Sequence, residues 1–239
     1  MVSAMAVSLA IAAVPTPASE EPTPSELLAS TSAAYRDLNA FDVTGVVDSA
    51  LIDDHGQVGP LLFGHRDFTC FYSAPEAFVF SMVHRGSADY KPWSLVLAIN
   101  GANATLAAPP ALETETSDVP KALSGASSIT SQASSLLVGL LLPNAESGFQ
   151  LSELSEAHID GTEVIRDVPC WRVSGKFSAR GRDATLWVSK AESFVLRVVL
   201  SYAASGGAVH RHNIEFTSLH ALRAGEKSMV AVPLGTEAR

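Results

Sequence analysis

The stretch from Ile159 to Leu200, IDGTEVIRDVPCWRVSGKFSARGRDATLWVSKAESFVLRVVL, constrains the fold more than any other part of the chain. Asp160-Gly161 and Gly181-Arg182 punctuate it, and such glycine-containing pairs supply the positive φ that tight hairpin turns require. Between and after them run VPCWRV, ATLWV and FVLRVVL. These are rich in β-branched and aromatic residues, which suit a pleated, half-buried surface. Strands joined in succession by short turns form an antiparallel meander.

The rest of the chain extends this pattern. Ser25 is expected to N-cap a helix running to about Leu38, with Leu27, Leu28, Thr31, Ala34, Tyr35 and Leu38 on one face. From Phe41 the period changes to two: Phe41, Val43, Val47 and Leu51 alternate with Asp42, Thr44 and Asp48, up to a turn at Asp53-Asp54-His55-Gly56. Further strands are expected over Leu61–Tyr72, around Phe78-Phe80-Met82, over Trp93–Ile99 and over Ala104–Ala108, where Pro109-Pro110 ends the run. Residues 122–145 carry no charge, and Ser127–Leu142 reads as a helix with an apolar end, Leu136–Leu142, closed by Pro143. That apolar run is far shorter than the roughly 20 residues a membrane span needs. Strands resume at Phe149 and continue to Val209–Phe216, with a last piece at Met229–Val232. The sum is about ten strands, an N-terminal helix and one or two central helices.

Composition narrows the function. The chain is 47% hydrophobic and 17% charged, which indicates a substantial core and not disorder. Its net charge of −9 resides in residues 1–121, which hold 14 acidic and 5 basic side chains; residues 122–239 hold 11 of each. With no Lys/Arg cluster, the chain is a poor partner for nucleic acid and for anionic membrane surfaces, since both are bound by neutralising phosphate charge, and no nucleic-acid partner is expected. Residues 1–18 are expected to be a signal peptide: Met1–Val14 is uncharged and apolar or small, and Thr16-Pro17-Ala18 offers a cleavage site before Ser19. Residues 19–23 would be a linker and 24–239 one domain. No cysteine lies near the cleavage site, so nothing indicates a lipid anchor. Cys70 and Cys170 are the two cysteines. In an exported chain they permit one disulfide, and two buried thiols are the alternative.

Several local patterns, in order, resemble the LolA/LolB-like superfamily of envelope lipoprotein carriers and related lipid-binding proteins. They are Ala34-Tyr35-Arg36-Asp37-Leu38-Asn39-Ala40-Phe41 at the helix end, Phe71-Tyr72-Ser73-Ala74-Pro75-Glu76-Ala77-Phe78 at a hairpin, and Ile99-Asn100-Gly101 at a turn. The last is Thr185-Leu186-Trp187-Val188 followed by Phe194-Val195-Leu196-Arg197. The resemblance covers about residues 24–220. It implies an α+β fold, an incomplete antiparallel β-barrel (half-barrel) wrapped around the N-terminal helix and central lid helices. It also implies a periplasmic, non-catalytic carrier of a lipid or acyl-chain ligand. On that fold the cavity wall is expected to comprise Phe78, Phe80, Met82, Trp171, Leu196 and Val198, and the lid Leu137, Leu140 and Leu141. The other reading of the central segment is an ordinary core helix. Arg36 and Arg66 are the candidates for the arginine that locks the carrier hinge. A second functional reading is an envelope sensing or interaction protein that docks a membrane-protein partner through its acidic first half.

Catalysis finds little footing. G-x-S-x-G, C-x-x-C, H-E-x-x-H, G-x-G-x-x-G and the P-loop are all absent from the sequence, so no cofactor is expected. His210-x-His212 places two imidazoles on one strand face, but no third metal ligand follows at a suitable spacing. The expectation is a solvated outer face of an edge strand, with no metal site. Asp53-Asp54 and Glu20-Glu21 fall in a turn and a linker.

Overall fold

In the computed structural model, residues 21–59, 64–75, 77–86, 91–108, 112–142, 145, 148–178 and 181–231 are described. The signal peptide expected over 1–18, residues 61–63 at the start of the second expected strand and the Pro109-Pro110 stop lie outside them.

The first helix, α1 (Pro24–Arg36), is capped two residues before the expected cap Ser25. Thr23 is its N-cap: its hydroxyl accepts the Glu26 N–H at 3.3 Å, and the Glu26 carboxylate accepts the Thr23 N–H at 2.8 Å. This is a reciprocal capping box, with Pro24 at the first helical position, where its missing N–H has no cost. Leu27, Leu28, Thr31 and Tyr35 face inward.

Twelve strands follow: β1 (Leu38–Ile52), β2 (His65–Ser73), β3 (Ala77–His84), β4 (Trp93–Asn100), β5 (Asn103–Ala108), β6 (Leu112–Thr116), β7 (Leu154–Ile165), β8 (Val168–Phe177), β9 (Arg182–Ser189), β10 (Val195–Ala203), β11 (Val209–Arg223) and β12 (Val230–Ala231). They form one antiparallel sheet in the order β6-β5-β4-β3-β2-β1-β11-β10-β9-β8-β7, with β12 beside β11. The two meanders join where β1 pairs with β11 along almost the whole length of both strands. Gly45 lies at a register shift in this seam. A side chain there would meet the Phe68 ring and the Glu215 carbonyl oxygen at under 3 Å, so only glycine lets the strands bend this tightly.

The sheet ends at β6 and β7 without closing. It nonetheless curls, because helices on one face reach both halves: α2 (Val119–Ile129) packs on β4 and β5, while α1 packs on β7 and on α3 (Ala133–Leu141). One hydrophobic cluster contains side chains from both meanders and all three helices. This is the half-barrel with enclosed helices that the LolA/LolB-like resemblance implies.

Three expectations need correction, and one open alternative is decided. Asp160-Gly161 is not a hairpin turn: it lies inside β7 at a register shift, and β7 turns into β8 at Arg166-Asp167, which take φ of 50° and 64° without glycine. The single helix over Ser127–Leu142 is two helices, broken at Thr130–Gln132, where Ser131 and Gln132 adopt φ of 51° and 75°. The Ser/Thr-rich sequence provides hydroxyls that compete for backbone hydrogen bonds, a break without Gly or Pro to announce it. β11 is not an edge strand; it lies between β1 and β10, so His212 is buried. Cys70 and Cys170 are unpaired buried thiols on β2 and β8, which four strands separate along the sheet. At ~4.8 Å per strand that is roughly 24 Å of arc, far beyond the reach of a disulfide along the sheet.

Candidate functional site

Every residue of α3, from Ala133 to Leu141, is buried. The helix carries no charge and occupies the concave side of the sheet. Gly139 is the point of closest approach: a side chain there would meet the Phe149 backbone at 2.2 Å, so the helix packs directly on the segment leading to β7. Most of the expected wall lies beneath this region. Phe78, Phe80, Met82, Leu196 and Val198 are at most 1% exposed and share one cluster with Leu137, Leu140 and Leu141. The structure therefore brings expected wall and expected lid together as packed core. Trp171 stands apart: it is half-buried at the edge of the cluster, with the Lys190 ammonium 3.7 Å from its ring centre.

Open space lies at one end of the half-barrel. A cavity of about 1030 Å³ is bounded by the C-terminal ends of α1 and α3, the start of α2, and the β2–β3 and β4–β5 turns at Ala74-Pro75 and Gly101-Ala102. Its apolar lining includes Leu38, Ile99, Val119, Leu123, Leu141 and Leu142, with Tyr35, Tyr72 and Arg36 at its polar side. Among the expected wall and lid residues only Leu141 belongs to it. The volume is at the upper end of the range for small-molecule sites. Its turns were legible in the sequence as Ser73-Ala74-Pro75 and Asn100-Gly101, but their convergence with three helix ends was not.

A polar network holds the helices in place. Arg66, on β2, is wholly buried. Its guanidinium donates to the Ile129 carbonyl at the end of α2 (3.0 Å), to the Ser131 hydroxyl in the break between helices (2.7 Å) and to the Ser49 hydroxyl of β1. Ser49 donates on to Ser131 at 2.9 Å, so His212 Nδ1–H donates to Ser49 (2.8 Å), and Tyr202 donates its O–H to His212 Nε2 (3.2 Å). Both imidazole nitrogens are thus committed within the protein. Burial lowers the Arg66 pKa to about 10, against the attraction of Asp48, so the group stays cationic at neutral pH. Burial, then the charges of Arg66, His210 and Arg182, lower that of His212 to about 3, so the imidazole is neutral. Of the two arginines named as candidates, Arg66 bonds the break between α2 and α3, whereas Arg36 lines the large cavity. Its place could have been read from Arg66-Phe68-Cys70-Tyr72, which alternation puts on one inward face.

Among the described residues, no group of three or more His, Cys, Asp or Glu is placed to hold a metal ion. No described helix is long and apolar enough to cross a membrane.

No protein-family model matches the sequence, and no curated protein matches it. Solved structures with a similar fold include LprF from Mycobacterium bovis (12% identity, TM-score 0.47, covering 87% of this chain and 95% of that one). They also include the Mycobacterium tuberculosis lipoprotein LppX (17%, 0.40, 79% and 93%) and MucB (14%, 0.46, 85% and 60%). The likeness is one of fold alone.

Proposed function

We propose that the chain is a periplasmic, non-catalytic carrier or binding protein that holds a lipid or acylated ligand in a hydrophobic cavity. One observation carries this reading: a fully buried, uncharged helix fills the half-barrel, and an apolar-lined cavity of about 1030 Å³ opens beside its C-terminal end. An acyl chain entering there gains ~0.8 kcal/mol per buried CH₂ with no polar contact required. It would extend inward along Leu141 as α3 yields, with Arg66 setting the cost of that movement through its bonds to Ile129 and Ser131. Phe78, Phe80, Met82, Leu196 and Val198 would then form the deeper wall.

Extraction and mass spectrometry of protein recovered from the cell envelope test the proposal. A co-purifying lipid, or stoichiometric uptake of a fluorescent fatty acid after delipidation, is the expected result. Absence of both would remove the carrier reading. The alternative reading, an envelope interaction protein, is favoured by Phe71, Val79, Val83 and Val96, which β2, β3 and β4 expose on the outer face.

A further inference from the structure

We propose that the ligand of the large cavity carries an anionic head group, a carboxylate or a phosphate, which Arg36 and Tyr72 recognise at the cavity's polar side. The inference rests on the carrier reading and names the class of amphiphile that the cavity takes. Among the described lining residues, the polar side chains are Tyr35, Arg36, Asn39 and Tyr72. Two of them already have partners. The Tyr35 hydroxyl accepts the Val195 N–H at 3.3 Å, and the Asn39 amide donates to the Arg223 carbonyl at 3.5 Å. Arg36 and Tyr72 remain for a ligand.

Tyr72 ends the inward face of β2 and is only 7% exposed. Its phenolic oxygen makes no hydrogen bond among the described residues, and it is not sealed inside the protein: it opens on the cavity. Burial raises its pKa, so the phenol keeps its proton at neutral pH and is free to donate it. A nearly buried hydroxyl without an acceptor is costly, and a ligand oxygen removes that cost. Arg36, the last residue of α1, is exposed and stands at the rim. Among the described residues no carboxylate forms an ion pair with it, its neighbour Asp37 included. It is also the only charged side chain among the described lining residues, in a chain of net charge −9. The two groups are neighbours around Phe41. Tyr35, next to Arg36 in α1, holds its ring 5.7 Å from that of Phe41, and Phe41 is the cross-strand partner of Tyr72.

A carboxylate or a phosphate suits this pair. The guanidinium presents a planar fork to two oxygens, and the phenol adds one O–H. An alcohol or ester head would engage Tyr72 but gain nothing from the charge, and a cationic head would be repelled. The apolar lining of Ile99, Val119, Leu123, Leu141 and Leu142 takes the chain. The charge at the rim thus sets the orientation, head outward and chain inward along Leu141. Because Arg36 is exposed, salt and water screen it, so its contribution is smaller than that of a buried ion pair.

The test is titration calorimetry of the delipidated protein at constant ionic strength, with each amphiphile below its micellar concentration. The probes share a palmitoyl chain and differ in the head: palmitate, palmitoyl lysophosphatidate and neutral monopalmitoyl glycerol. At least one anionic probe is expected to bind roughly tenfold more tightly than the neutral one. Preference for palmitate identifies a fatty-acid carboxylate as the head; preference for the lysophosphatidate identifies a phospholipid-type phosphate. Arg36→Gln should abolish roughly that tenfold advantage and leave the affinity of the neutral probe unchanged, while Arg36→Lys should retain part of it. Tyr72→Phe should weaken the anionic probes roughly threefold to tenfold. Should Tyr72→Phe lower the melting temperature markedly, Arg36→Gln, at an exposed position, decides. Arg211→Gln removes the same charge opposite Ala50, towards the other end of the β1–β11 seam from Leu38, and should change nothing. Equal affinity of wild type for anionic and neutral probes, or an anionic advantage that survives Arg36→Gln, overturns the proposal and leaves the carrier reading standing. Binding of none of the probes overturns the carrier reading and the proposal with it.

Discussion

Replacing Arg66 with methionine removes the guanidinium's donations to Ile129, Ser131 and Ser49 while keeping much of the apolar stem. Each hydrogen bond to a charged group contributes about 1.5–3 kcal/mol. Against this stands the cost of burying the charge. A pKa lowered from 12.5 to about 10 corresponds to about 3 kcal/mol that the variant recovers. The Ile129 carbonyl, left without its donor, adds about 1–3 kcal/mol of penalty. At the lower ends of these ranges the balance is a destabilisation of about 2 kcal/mol, and it is larger above them, concentrated where the lost bonds ended. Amide hydrogen exchange should show it best: residues 129–142 should open roughly thirtyfold more often for each 2 kcal/mol lost locally. The β1–β11 seam should retain its protection. Arg66→Lys should rescue little, because an ammonium cannot fork to a carbonyl and two hydroxyls held on separate elements. Unchanged exchange over 129–142 in Arg66→Met, or full rescue by lysine, would refute the latch.

Other outcomes follow from the same structure. His212 has a folded pKa of about 3, below its unfolded value of 6.5, so the unfolded chain binds the extra proton first; the contribution to stability is complete above pH 6.5 and is lost as the pH falls towards 3. Chemical unfolding of wild type between pH 7 and pH 4 should therefore show a steeper loss than His212→Gln, and equal slopes would count against a neutral buried imidazole. Gly139→Ala would push a methyl group into the Phe149 backbone and should cost about 1–3 kcal/mol in urea unfolding, more than any helix-propensity gain from alanine. A neutral or stabilising effect would mean that α3 does not pack as closely as described. Thiol labelling of denatured, unreduced protein should count two reactive cysteines, Cys70 and Cys170, and a count of zero would establish a bridge.

Much of the architecture was legible in the sequence because strands write themselves locally. Alternation in β1, β2 and β3 and the glycine turn at Gly181 gave many of the strands and their inward faces, whereas Asp160-Gly161 lies within β7 and the β7–β8 turn at Arg166-Asp167 has no glycine to mark it. Strand order was not legible, since period two says which way a side chain points and nothing about the neighbouring strand. That is why His212 was expected at a solvated edge: the pairing of β11 with β1 that buries it joins residues 163 apart, as the contact between His212 and Ser49 shows. The helix break was hidden for a different reason: Ser131 and Gln132 take positive φ without glycine, supported by tertiary bonds from Arg66 that no local window contains. The expected wall and lid residues were correctly inward-facing. Whether inward means cavity or core depends on how far α3 fills the barrel, and the sequence does not encode that distance.

The central claim, an acyl chain held beside α3, is tested most directly by filling the cavity. Leu142 lines it and is only half-buried, so Leu142→Trp adds bulk to the open space with little disturbance of the packed core. The measurement is the affinity of delipidated protein for a fluorescent fatty acid, in wild type and in Leu142→Trp, with thermal unfolding as the control. Saturable one-to-one binding by wild type, weakened at least about tenfold in a variant of unchanged melting temperature, is the result the account predicts; loss of contact for two methylenes already corresponds to that factor. Failure of the wild type to bind, or equal affinity in a folded variant, would contradict it.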